Sequence, residues 1–334
     1  MKRHVSLVML LTIVAVAAAS AGWIYVRYWG KYGIGDGDFS NPSGVAVAPN
    51  KGGDVYVVDQ RNNRIQYFTY NGTFLGKWGV YGSGNGQFNY PISVVVSDEL
   101  VYVSDRGNHR VQYFTPAGSF QGQWGTEGTG NGQFKNPWGV AVAPNGTVYV
   151  ADSSNDRVQY FTSVGSFLGT WGSTGSGDGQ FHDPRGITVA SGDNVYVTDV
   201  GNNRVQYFTS TGSFLGKWGA AGTAEGRFNL PSGIAFSEEA GPYEKLIFVA
   251  DTGNDRVQYF NTNGSFIETW GESGSSAGSF NYPLDLAVAP KKVVHPQGGA
   301  VYVADTRNNR IQVFDWTDPS VEPSSFGKVK ALFR

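Results

Sequence analysis

The sequence predicts an all-β fold, a six-bladed β-propeller built from four-stranded antiparallel blades. Three observations lead there. Phe-x-x-Pro recurs at Phe39/Pro42, Phe88/Pro91, Phe134/Pro137, Phe181/Pro184, Phe228/Pro231 and Phe280/Pro283, in steps of 49, 46, 47, 47 and 52 residues. Each copy is followed by Asp-x-x-Asn-x-Arg, at Asp59, Asp105, Asp152, Asp199, Asp251 and Asp305. The 334 residues hold 47 Gly and only 16% charged side chains, which argues against a helical or disordered chain.

Within one copy, turn signals separate four short strands. In the third copy these are 139–143, 148–152, 157–161 and 166–172, with Asn145-Gly146 and Val164-Gly165 as tight turns. The second and third strands (VYVAD, RVQYF) are apolar on both faces, as expected of a sheet covered on each side by neighbouring sheets. A linear stack would leave two apolar ends, whereas a ring leaves none. Aromatic residues supply 14% of the chain, enough large apolar surface for such a core.

Ring closure is also legible. Trp-Gly ends the fourth strand at Trp78, Trp124, Trp171, Trp218 and Trp270; one further copy, Trp29-Gly30, precedes the first repeat, and the sixth repeat has none. Residues 23–30 are therefore expected to supply the outermost strand of blade six and remove its free edge. The competing strand is 325–333, where Phe326-Gly327 imitates Trp-Gly.

Lys2, Arg3 and His4 precede a charge-free run from Val5 to Ala19 and the small residues Ala19-Ser20-Ala21, the order of a secretory signal. The charge-free stretch reaches Val26, so 5–26 is also long enough for an uncleaved signal anchor. Residues 1–22 are thus expected to be a signal peptide or anchor, 23–315 the propeller and 316–334 a tail, with the propeller extracellular or at the cell surface. The net charge of −2 gives no basic field, so nucleic acid is not an expected partner, and the absence of Cys removes disulfides and thiolate chemistry.

The segment GQFKNPWGVAVAPNGTVYVADSSNDRVQYFTSVGSFLGTWG (132–172) resembles the NHL repeat, and the resemblance extends over six copies from residue 29 to about 315. It implies a six-bladed ring. The activities it implies are diverse, among them RNA and protein binding in tripartite-motif ubiquitin ligases, extracellular sensing in bacterial Ser/Thr kinases and a zinc-dependent peptide-amidating lyase. The lyase needs three converging His. Here His109 sits in a turn, His182 in a linker and His295 in an insertion on the opposite face, so the three are not expected to meet.

Comparison among the copies separates architecture from function. Asp-x-x-Asn-x-Arg recurs sixfold and reads as a tight turn in which Asp and Asn bond turn backbone and Arg pairs with a carboxylate. The Gly-rich loops such as GSGNGQF (82–88) run into Pro and a strand, not a helix, and so read as inter-blade linkers rather than phosphate cradles. Strand parity puts these linkers and the second-to-third strand turns on one face. After the repeated Pro that face carries Ser43, Ile92, Trp138, Arg185, Ser232 and Leu284, with Asp285 where four of the other copies have Gly. Trp138 and Arg185 in adjacent blades, with His109, Arg61, Arg106 and Arg307 in the turns, form a candidate site for an anionic or planar ligand. Asp156, Asp255 and Asp285 are candidate Ca²⁺ ligands if they share one mouth. The expected function is a monomeric, non-catalytic scaffold that binds a protein, peptide or glycan and needs no cofactor. The alternative is a Ca²⁺-dependent hydrolase or lyase.

Overall fold

The computed structural model describes residues 22–49, 52–97, 99–240, 243–289 and 299–317. Their strands form six four-stranded antiparallel sheets. Blade three shows the pattern: Pro137–Val142, Val148–Asp152, Arg157–Phe161 and Phe167–Trp171 run from the axis outward. First strands of successive blades touch all the way round, including those of blades six and one, so the ring is closed. The core lies between blades. One cluster, for example, joins Phe39, Val57 and Phe68 of blade one to Ala287, Tyr302 and Ile311 of blade six. Burial on both sheet faces explains why the middle strands do not alternate.

Blade six consists of Pro283–Val288, Ala300–Asp305, Arg310–Thr317 and, outermost, Gly22–Trp29. The N-terminal strand pairs antiparallel with Arg310–Thr317, from Gly22 opposite Thr317 to Trp29 opposite Ile311, as the Trp-Gly count predicts. The competing segment 325–333 lies outside the described residues.

The seam differs chemically from the other five blade boundaries. Elsewhere the fourth-strand Trp packs beneath a positive-φ Gly in the next blade's outer hairpin. A Cβ on Gly118 would come within 2.6 Å of Trp78, and one on Gly165 within 2.6 Å of Trp124. A second-strand Tyr hydroxyl also donates to a carbonyl in the next blade's outer hairpin, as Tyr102 does to Ser163 (3.0 Å) and Tyr149 to Ser210 (3.0 Å). Blade six has no such hairpin, because its outer strand arrives from the other end of the chain. There Trp23 stacks on Trp270 at 5.8 Å and packs edge-on against Phe248 at 5.5 Å, only 8% exposed. Phe248 occupies the Tyr position and carries no hydroxyl to be left unbonded.

The Asp-x-x-Asn-x-Arg motif fixes each linker. Asp199 is fully buried; its Oδ1 accepts the His182 N–H (2.8 Å) and its Oδ2 accepts Arg204 Nε (2.7 Å) and Gln206 Nε2 (3.2 Å). The Arg204 guanidinium then donates to the carbonyls of Ser176, Gly177 and Gln180, at 2.8 Å each. The motif's own Asp and Arg therefore form the ion pair, and both reach back to grip the preceding linker. Burial raises the pKa values of Asp59, Asp105, Asp251 and Asp305 above the ordinary carboxylate value, although hydrogen bonds from linker N–H, Asn and Arg pull them down.

Two stability outcomes follow. Arg204→Met strands a buried carboxylate and should cost about 3–5 kcal/mol in chemical denaturation, whereas Lys217→Met, which breaks an exposed pair with Asp178, should cost under about 1 kcal/mol. Equal effects would contradict the clamp. Trp23→Ala should cost about 3–5 kcal/mol through the cavity it leaves at the seam.

Candidate ligand site at the linker-face mouth

Backbone bonds tie each linker to the turn after the second strand. Arg61 N–H donates to Ser40 (3.1 Å), Gly107 to Asn89 (2.8 Å) and Gly201 to His182 (2.8 Å), so linkers and turns share one face. Each turn is a short 3-10 segment ending in a left-handed residue with φ of 51–55°: Asn63, His109, Asp156, Asn203, Asp255 or Asn309. That residue accepts a backbone N–H from the following linker. Asn63 takes Tyr90 (2.9 Å), Asp156 takes Asp183 (2.8 Å), Asp255 takes Tyr282 (2.6 Å), and His109 Nδ1 takes Asn136 (3.1 Å).

What reads in sequence as scattered rim variation is therefore one repeated role filled by three acceptor types. His109 needs its proton on Nε2 to play it. Asp156 also accepts the Thr174 hydroxyl at 2.7 Å. Asp285 stands apart in the channel wall, and no group of three or more His, Cys, Asp or Glu among the described residues is arranged to hold a metal ion. The structure thus does not bring Asp156, Asp255 and Asp285 into one cluster. His182 bonds its linker to Asp199 and lies beneath Gly201, whose added Cβ would meet it at 2.5 Å; His295 lies outside the described residues.

The mouth itself is asymmetric. Ser43, Ile92, Trp138, Ser232 and Leu284 line the opening of a central channel walled by Val45, Val94, Val140, Ile187, Ile234 and Leu286, with a cavity volume of about 190 Å³. Two guanidinium groups pack on the Trp138 ring: Arg185 at 4.2 Å from its centroid and Arg106 at 4.9 Å. They are not equivalent. Arg185 donates through Nε and Nη2 to Asp183 Oδ2, at 3.0 and 2.8 Å. Burial, and then the charge of Arg185, make Arg106 easier to deprotonate than an ordinary Arg, and its Nε is shielded from solvent without a hydrogen-bond partner.

Sequence reasoning missed Asp183, whose signal is its position two residues before Arg185; it is the left-handed residue just ahead of the strand. Of the other candidates, Arg307 lies 4.2 Å over the Tyr282 ring and Arg61 is exposed; neither packs on Trp138.

Asp285 protrudes where blades one, three, four and five have Gly. Its Oδ2 accepts the Val45 N–H at 3.2 Å, joining blade six to blade one. It also crowds blade five, since a Cβ on Gly233 would fall 2.5 Å from the Asp285 Cα. Enclosure by protein pushes its pKa from 3.8 up to about 7, against hydrogen bonds from Val45 and Leu286, although part of the side chain still opens to the channel.

A family model described as the NHL repeat matches residues 39–68, 88–114, 134–161, 181–208 and 280–314. The chain is an NHL-repeat protein. Blade five falls outside the matched residues and is the blade that departs most from the others. It has a long hairpin of Pro231–Ala240 and Tyr243–Asp251, Phe248 for Tyr, and Glu268 for the Gly found at 76, 122, 169 and 216. An auxiliary nutrient binding protein from Bacteroides ovatus is similar to this NHL propeller at 16% identity and a TM-score of 0.63, over 90% of this chain and 78% of that one. Streptogramin B lyase is similar at 15% identity and a TM-score of 0.59, over 87% and 98%. At those identities the likeness is one of fold. The B-box type zinc finger protein ncl-1 of Caenorhabditis elegans is 47% identical over 51 residues, 15% of this chain and 6% of that protein, so the NHL chain spans a small part of that relative.

The raised pKa of Asp285 makes the folded protein prefer the proton, so its contribution to stability falls as pH rises from about 4 to about 7 and is flat above. Asp285→Asn keeps the oxygen acceptor and removes the charge. At pH 8 the variant should be more stable than the parent by about 2 kcal/mol, after discounting for the open channel, and the gain should vanish at pH 4. Urea denaturation at the two pH values checks it.

Proposed function

We propose that this NHL propeller is an exported, non-catalytic binding scaffold whose ligand, a protein, peptide or glycan, is held at the linker-face mouth. One observation carries the reading. On a ring whose turns repeat the same bonds, Trp138 with Arg106 and Arg185 departs from the sixfold pattern at the opening of the channel. Fold-level similarity to nutrient binding proteins is consistent with a capture role.

The proposal of export rests on the order of the N-terminal residues, a basic start, a charge-free run and Ala19-Ser20-Ala21. Cleavage after Ala21 would leave the described closing strand Gly22–Trp29 whole. If residues 5–26 instead act as an anchor, Trp23–Val26 are shared with the blade. Gly22 pairs with Thr317 at the end of the sheet away from the linkers, so an anchored ring would hold its mouth away from the membrane. Residues 1–21 lie outside the described residues.

The alternative, a Ca²⁺-dependent hydrolase or lyase of the six-bladed type, has Asp285 of its three candidate carboxylates in the channel wall, where burial favours the protonated form. Peptide and glycan arrays separate the two. Binding lost at least tenfold in Trp138→Ala, with melting unchanged within about 2 °C, supports capture at the mouth. Binding untouched by that change removes the site, and turnover of a bound species that stops in Asp285→Asn establishes the enzyme.

A further inference from the structure

The residue just after the motif Asp is structural in most blades. Ser153, Thr252 and Thr306 use it to donate a hydroxyl hydrogen bond to the Pro carbonyl that opens the next blade, at 2.5, 2.7 and 2.7 Å, and Val200 is buried there. Blade two has Arg106, too long for that bond, and its guanidinium is carried instead onto Trp138 of blade three. The six motif arginines each hold a carboxylate, and Arg185 holds Asp183. Among the described residues the Arg106 side chain has neither an ion pair nor a hydrogen bond, and its Nε is closed to solvent. A half-buried cation in that state gains from an incoming anion more than a solvated one does, because its desolvation cost is already met.

The ring beneath it faces a different medium. Trp138 lines the channel opening, and the wall below is mostly Val, Ile, Leu and Ala, with Ser93 and Thr188 among them and Asp285 its only titratable group among the described residues. A fully hydrophilic anion would satisfy Arg106 and leave that wall wet. A neutral hydrophobe would fill the channel and leave Arg106 unpaired.

From this juxtaposition we infer that the mouth binds an amphiphilic monoanion, its oxyanion head paired with Arg106 beside Trp138 and its apolar chain directed into the Val/Ile-lined channel. The inference rests on the mouth being the ligand site and adds the chemistry of the ligand. Two guanidinium groups on one indole with a single carboxylate in ion-pair reach leave one positive charge to meet, which favours a carboxylate head over a phosphate monoester carrying nearly two charges. A wall carboxyl whose burial favours the protonated form opposes the chain end less than an ordinary carboxylate would.

The test is titration calorimetry on the folded full-length protein with hexanoate, octanoate, octyl phosphate, octanol and octylamine. Saturable one-to-one octanoate binding is expected, tightened about fourfold per methylene from hexanoate to octanoate, the ratio that corresponds to burying each CH₂. Octanol and octylamine should bind at least tenfold more weakly. Comparison of octanoate with octyl phosphate assigns the head. Arg106→Gln should lose at least tenfold in octanoate affinity, and Arg106→Lys should recover part of it. If Arg106→Gln misfolds, the octanoate-to-octanol ratio on the unmodified protein decides alone. Equal binding of octanol overturns the anionic head while leaving the mouth as a site. No saturable octanoate binding, or binding indifferent to both Arg106→Gln and chain length, overturns the inference. Octanoate binding that survives Trp138→Ala unchanged overturns it together with the placement of the ligand site.

Discussion

The buried carboxylate at the end of each second strand is the constraint on which the remaining structure depends. A carboxylate removed from water must be bonded on both oxygens, and here one oxygen takes a linker N–H while the other takes the motif's Arg and Gln. Because the Arg spends its remaining donors on carbonyls of the same linker, a single ion pair fixes a loop of glycines that has almost no side-chain packing of its own. The fixed linker in turn sets where the next blade's first strand begins. The side chains at the mouth, Trp138 and Arg185 among them, are the second residue of that strand, or one residue removed from it in the case of Asp285. Buried electrostatics in one blade thus position the ligand-facing residue of the next.

The same dependence explains how much of the molecule was legible in the sequence. Trp-Gly pairs could be counted, and the surplus copy at Trp29 identified the closing strand, because the requirement behind it is local: each blade needs one outer strand. The seam chemistry was harder to read. Phe248 looks like an ordinary apolar variant of Tyr until the missing hairpin of blade six is known, and Trp23 looks like the end of an apolar leader until it is seen against Trp270. Both are consequences of tertiary closure.

Site residues were legible to a different degree. Trp138 and Arg185 were readable as departures from the repeat at one aligned position, and the structure brings them to 4.2 Å. His109, Asp156 and Asp255 looked like departures too, since one is an imidazole and two are carboxylates among amides. They share the property that matters at their position, a lone pair within reach of the next linker's N–H. Comparing residue names across copies exaggerates such differences. Arg106 shows the reverse error: it was grouped with Arg61 and Arg307 as one more turn cation, yet it alone of the three leans on the mouth Trp, because it stands one position earlier in its turn.

Asymmetry of this kind is tolerated because the ring over-determines its backbone. Each linker is held by an ion pair, by the preceding blade's left-handed acceptor and by a turn N–H, so a side chain at the mouth can change without moving the strand that carries it. Asp285 marks the limit of that freedom. It lies deep enough for its charge to be resisted, yet its Oδ2 joins blade six, the blade in which Gly22–Trp29 pairs with Arg310–Thr317, to blade one. The closing sector of the ring and the wall of the channel therefore answer to the same proton. A ligand whose apolar end reaches Asp285 would favour its neutral form, and the contact between blades six and one would then be the one that ligand stabilises.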